Sequence, residues 1–116
     1  MSRRARATGL LLALAAGLWA GAAVAEIDAL RLPAGFRAEI YAQVPGARSL
    51  AVVPALGVTF VGSRDDTVTA IIDADGDGRA DRVETVLKGL KRPNGVAWRD
   101  GALYVAEQHR IARFAA

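Results

Sequence analysis

The sequence has no cysteine and a single histidine, His109, in 116 residues. Without cysteine there can be no disulfide, no thiolate-held zinc or iron–sulfur cluster and no thiol nucleophile. Charge of one sign is also missing from most of the chain. The 15 Lys and Arg outnumber the 12 Asp and Glu, but Arg3, Arg4 and Arg6 account for the difference. From Glu26 onward, 12 basic side chains face 12 acidic ones. A surface that tracks phosphates needs its excess of Lys and Arg in the folded part, so nucleic acid is not an expected partner. Strong helical periodicity is absent beyond the first 25 residues.

The N-terminus has the order of an export signal. Ser2–Arg6 is basic, Ala7–Ala25 is uncharged with its most apolar part at Leu10–Trp19, and Ala23-Val24-Ala25 precedes Glu26. This order predicts a helical signal peptide over 1–25, cleavage before Glu26 and a periplasmic or secreted product. The alternative is a membrane anchor, since 19 uncharged residues approach a spanning length. The Ala and Gly content and the cleavage site favour removal, leaving no stable anchor. The remaining 91 residues are few for a self-sufficient core. With no disulfide possible, further stability is expected from metal, partners or additional chain.

Beyond Glu26 the chain reads as short strands separated by Gly, Pro, Asp and Asn. Phe36–Tyr41 alternates as a lead-in strand. Ser49–Val53, Val58–Gly62, Val68–Ile72, Val83–Leu87, Gly95–Trp98, Ala102–Ala106 and Ile111–Phe114 follow. Val83–Leu90 could form a helical turn, but Val83, Thr85 and Val86 favour extension. A shift of 44 residues superposes 48–63 on 92–107 without a gap, matching Arg48 with Arg92, Val52 with Val96, Gly57 with Gly101 and Val61 with Val105. One deletion then places Val68–Ile71 on Ile111–Phe114. A period near this value with four strands per unit is the pattern of a β-propeller blade. The expected fold is therefore all-β: an incomplete β-propeller of fewer than two four-stranded blades plus a lead-in strand. Because a propeller closes with about four to eight blades, 26–116 is expected to be the N-terminal portion of a longer protein.

Antiparallel order sorts the loops onto two edges. One edge collects Arg48, Ser49, Ser63, Arg64, Asp65, Asp66, Arg92, Asn94, Glu107, Gln108 and His109, a polar set of mixed charge. Each is also an ordinary solvated turn residue by type. His109 is of the residue type that serves as a general base but has no visible orienting partner. The opposite edge carries Asp73-Ala-Asp75-Gly-Asp77-Gly78-Arg-Ala-Asp81-Arg-Val-Glu84, which follows the calcium-loop pattern throughout. Asp73, Asp75, Asp77, Asp81 and Glu84 are the candidate ligands for calcium or another hard cation, in a structural role. A metal-free Asp/Gly turn would use the same residues.

Leu32–Tyr41, Val44–Ala51, Phe60–Arg64, Asp75–Asp81, Gly89–Ala97 and Asp100–Glu107, taken in order, resemble the opening of exported PQQ-dependent sugar dehydrogenases, in particular the sorbosone and soluble aldose dehydrogenase group. The resemblance spans 30–114 and only the N-terminal part of that family's length. It implies a six-bladed propeller holding pyrroloquinoline quinone (PQQ) and calcium, and oxidation of a sugar by hydride transfer to the quinone, with an electron acceptor as second partner. It also implies that cofactor and sugar sit on the first edge, which makes Arg64, Arg92, Asn94, Glu107 and His109 the cofactor-binding candidates. The family's catalytic histidine lies downstream, and His109 does not match it, so no catalytic residue is identified and the chain alone is expected to be inactive. A non-enzymatic binding propeller and a small secreted calcium-stabilised β module are the alternatives.

Overall fold

The computed structural model describes residues 27–115. The expected signal peptide, 1–25, lies outside the described residues. The chain divides into two compact units, Met1–Ile40 and Tyr41–Ala116. In the first, the described residues form turns, with Leu30 N–H bonded to Ile27 O and Phe36 N–H to Pro33 O. The lead-in strand expected at Phe36–Tyr41 is not formed. Alternation makes a segment extended, but a strand also needs a ladder partner, and this segment has none among the described residues. Phe36 is left 72% exposed.

The second unit is all-β and holds two antiparallel sheets. The first sheet is a four-stranded meander of β1 (Ala47–Val53), β2 (Val58–Ser63), β3 (Val68–Ile72) and β4 (Arg82–Leu87). The second is a three-stranded meander of β5 (Gly95–Arg99), β6 (Ala102–Ala106) and β7 (Ile111–Ala115). These strands lie within two residues of the positions predicted from sequence. No helix among the described residues is long and apolar enough to cross a membrane.

Register refines the internal repeat. Phe60 faces Ala51 and Ala70, while Tyr104 faces Ala97 and Arg113. Taking Tyr104 as the counterpart of Phe60, 44 residues on, the third strands are offset by 43, as the single deletion requires. The first strands are offset by 46. Pro54–Gly57 joins β1 to β2, whereas Asp100-Gly101 alone joins β5 to β6, with positive φ at both residues. Asp-Gly suits such a two-residue hairpin turn. The ungapped matches Arg48/Arg92 and Val52/Val96 are therefore not structural counterparts. Leu50 occupies the place of Val96, and Val52 that of Trp98.

The sheets pack face to face. Val68 from the first sheet, Leu103 and Val105 from the second and Leu90 from the connection between them form the buried cluster. Each such side chain contributes about 1.5–3 kcal/mol by leaving water. Phe60 and Trp98 stack across the interface with ring centroids 5.5 Å apart and planes 17° from parallel. At Gly62 the first sheet lies tight against the segment that leads into β5. A Cβ there would lie 2.5 Å from Pro93 O and 2.7 Å from Asn94 O.

Candidate functional site

The segment joining the sheets builds the polar edge. Leu90 N–H bonds Asp66 O at 3.0 Å and Arg92 N–H bonds Asp65 O at 3.1 Å, which ties the segment to the β2–β3 loop. Ser63 N–H reaches Pro93 O, and Gln108 N–H reaches Lys91 O, both at 3.0 Å. Arg64 N–H bonds Gly46 O at 3.0 Å, drawing in the approach to β1. Strand ends distant in sequence are thus fixed by main-chain bonds around one concavity.

That concavity is a cleft of about 750 Å³, lined by Arg48, Arg64, Asp65, Arg92, Asn94, Gly95, Ala106, Glu107 and Gln108. Four of the five cofactor-binding candidates, Arg64, Arg92, Asn94 and Glu107, are brought together here. His109 is exposed in the β6–β7 turn and is not part of the lining. Arg48, placed on this edge by strand order, joins the group, and its Nε donates to Asn94 Oδ1 at 3.2 Å. Arg48, Arg64 and Arg92 form no ion pair among the described residues. Three guanidiniums therefore share the cleft with two carboxylates, and one of those is already neutralised.

The neutralised carboxylate is Glu107. Its side chain is 1% exposed; Oε1 accepts from Lys91 N–H at 2.7 Å and Oε2 from Arg110 Nε at 2.5 Å. The Arg110 hydrogen bond, followed by the Lys91 amide, holds its carboxyl below the ordinary glutamate value. Glu107 therefore clamps the β6–β7 turn to the inter-sheet segment. The one sign of this in the sequence is the spacing of Glu107 and Arg110 across a tight turn. Ser49 and Ser63, also placed on this edge, are engaged internally. Ser63 Oγ donates to Thr67 O at 2.7 Å, and Ser49 Oγ bonds Asn94 O at 2.5 Å.

The acidic loop lies at the other end of the first sheet, where Asp73 N–H bonds Gly57 O at 2.8 Å. Its carboxylates organise the backbone. Asp73 accepts from the N–H groups of Gly76 and Gly78, Asp75 from Asp77, Asp77 from Arg79, and Asp81 from Ala74. Gly78 has φ +82, the left-handed turn that the calcium-loop pattern requires. Carboxylate oxygens of Asp73, Asp75 and Asp81 lie within 4.8 Å of one another, a spacing that could hold a cation. Asp77 and Glu84 fall outside this group. Glu84 sits on β4 opposite Ala70 and pairs with Arg82 at 3.0 Å. A strand leaving the loop does not turn its final carboxylate back as a helix does. Burial, then Asp73, Asp81 and Asp77, raise the Tyr41 phenol above its ordinary value.

No family model, curated protein or solved structure matches this chain.

Proposed function

We propose that this chain belongs to an exported PQQ-dependent sugar dehydrogenase, in which the two sheets are consecutive propeller blades and the cleft helps to hold the cofactor. The observation that carries this reading is the convergence of Arg48, Arg64 and Arg92 with Asn94 on one cleft from three separate segments. Pyrroloquinoline quinone is a planar tricarboxylate with adjacent carbonyls. Guanidiniums match carboxylates through paired N–H donors, and an amide serves a carbonyl, so the donor set fits the group. Arg64 and Arg92 would bind carboxylates, and Arg48 and Asn94 would orient the ring system. Glu107, held by Lys91 and Arg110, would keep the lining in place. When bound, the cofactor supplies the quinone that accepts hydride from the sugar. The stacking of one four-stranded and one three-stranded meander, with hairpins in matching order, supports the propeller reading. Export rests on the order of charged, apolar and small residues over 1–25.

Calcium belongs to the same reading as a structural ion at Asp73, Asp75 and Asp81, away from the cleft. The test is titration of the intact protein with pyrroloquinoline quinone. Saturable binding is expected, weakened about 10- to 100-fold by Arg64→Ala, the range set by one charge-assisted contact. Absence of binding by the unaltered protein rejects the reading.

A further inference from the structure

β7 has β6 on one side and, among the described residues, no strand on the other. The first sheet carries β4 at the corresponding place, beside β3. An open strand edge leaves main-chain donors and acceptors ready to pair with an added strand. Beside this edge lies an apolar groove of about 160 Å³, whose walls include Val86, Trp98, Leu103 and Phe114. On the other face of β7, Arg113 is exposed and makes no ion pair among the described residues; its Nε donates to the Tyr104 hydroxyl at 3.3 Å.

The same chain holds a segment with the pattern of a fourth strand. Arg37-Ala-Glu39-Ile-Tyr41 falls on Arg82-Val-Glu84-Thr-Val86 of β4 when the sequence is shifted by 45 residues, close to the 44 that relates the two sheets. In both, an arginine and a glutamate two apart pair on one side, Arg82 with Glu84 at 3.0 Å and Arg37 with Glu39 at 3.7 Å. Extended backbone places residues i and i+2 in this way. Yet Phe36–Tyr41 joins no ladder among the described residues, and Phe36 and Ile40 are 72% and 39% exposed. The register of the first sheet fixes where such a strand belongs. β4 sets Glu84 opposite Ala70, and Arg113 is the counterpart of Ala70. An antiparallel strand in that register sets Glu39 opposite Arg113, Ala38 opposite Phe114 and Ile40 opposite Ala112. Phe36, Ala38 and Ile40 then share the groove side.

We propose that Phe36–Tyr41 of one copy of this chain adds to the open edge of β7 in a second copy as its fourth strand, with Glu39 across from Arg113 and the apolar positions over the groove. Main-chain bonds supply the attachment, and the Glu39–Arg113 pair sets the register. Reciprocal exchange covers both edges and closes a dimer. The proposal rests on the internal repeat and not on the cofactor reading, which is tested by quinone binding and not by association.

The test is sedimentation of the intact protein over a dilution series, beside charge-reversed and cysteine-paired variants. A reversible dimer is expected. Glu39→Arg or Arg113→Glu alone should weaken it about fivefold or more, and the two together should restore it. Glu39→Cys combined with Arg113→Cys should give a dimer linked by disulfides on oxidation, because residues directly opposite in a ladder lie within disulfide reach and the chain has no other thiol. A monomer at every concentration overturns the proposal. So does a disulfide formed within a single chain, which would place the segment on its own β7. A dimer that ignores both charge reversals and is not trapped by the cysteines overturns it as well, since the contact then lies elsewhere.

Discussion

The hydroxyl of Ser49 in the first sheet donates to the backbone carbonyl of Asn94, which leads into the second, across 2.5 Å. The same oxygen accepts from Val96 N–H at 3.1 Å. One side chain thus satisfies an acceptor and a donor on either side of Gly95, the first residue of β5. This joins packing to the cleft, because Asn94 lines the cleft and its side-chain oxygen receives the Arg48 Nε hydrogen bond. The inter-sheet contact and the cleft lining are parts of one arrangement.

Ser49→Ala should therefore lower stability by about 0.5–1.5 kcal/mol, the net worth of an ordinary hydrogen bond, since Asn94 O is exposed and Val96 N–H only part-buried. Ser49→Thr, which keeps the hydroxyl, should recover part of the loss. Denaturant unfolding of the three proteins measures it, and equal midpoints would show that the hydroxyl is replaced by water.

Gly62→Ala tests how closely the sheets approach. The added Cβ would press on Pro93 O and Asn94 O, which are backbone atoms and cannot rotate away. The expected loss is about 1–3 kcal/mol, as for overpacking elsewhere. The emission maximum of Trp98, which stacks on Phe60, should also shift, because the sheets must separate. Unaltered fluorescence together with unaltered unfolding would contradict the packing described.

The strands were legible because each alternates or clusters β-formers between Gly, Pro and Asp, and because the repeat supports the same boundaries twice. Pairing was less so. Arg48 and Arg92 match in an ungapped comparison, yet the β1–β2 hairpin is two residues longer than the β5–β6 hairpin, and only hydrogen-bond register reveals it. Phe36–Tyr41 misled because alternation cannot supply a partner strand. The polar edge followed from antiparallel order, so Arg64, Arg92, Asn94 and Glu107 could be grouped in advance. The engagement of Glu107 by Lys91 and Arg110 depends on how two loops meet. In the acidic loop the pattern names five carboxylates, of which Asp73, Asp75 and Asp81 bring oxygens within 4.8 Å of one another. Asp77 and Glu84 lie outside that group, and Glu84 does so on β4, where the pattern assumes a helix.

Glu107 should make stability depend on pH in the acid range. Its carboxyl is held below the ordinary value of 4.5 by Arg110 and by the Lys91 amide. The unfolded chain then binds a proton before the folded one does, so the stabilisation is complete above that value and is lost as pH falls through the lower folded value. Glu107→Gln should flatten the fall below about pH 4.5. The comparison is thermal unfolding of both proteins from neutral pH downward. Parallel curves would assign the acid sensitivity to other carboxylates.

The last prediction separates the two ends of the first sheet. Val58 and Ser63 bound β2, so the acidic loop and the cleft lie roughly 16 Å apart at the usual rise per residue. That exceeds the screening length of about 8–10 Å at physiological salt, so charge changes at one end should be weakly felt at the other. Calcium binding to Asp73, Asp75 and Asp81 would stabilise the folded chain by about 2.7 kcal/mol at a hundredfold excess over its dissociation constant. Asp75→Ala should remove most of this calcium-dependent rise in unfolding temperature and leave quinone affinity unchanged. Arg64→Ala should do the reverse. The measurement is a calcium titration of thermal unfolding beside a quinone titration for each variant. If Asp75→Ala abolished quinone binding while the calcium response persisted, the acidic loop would have to act on the cleft through the sheet, and a structural role for it would be wrong.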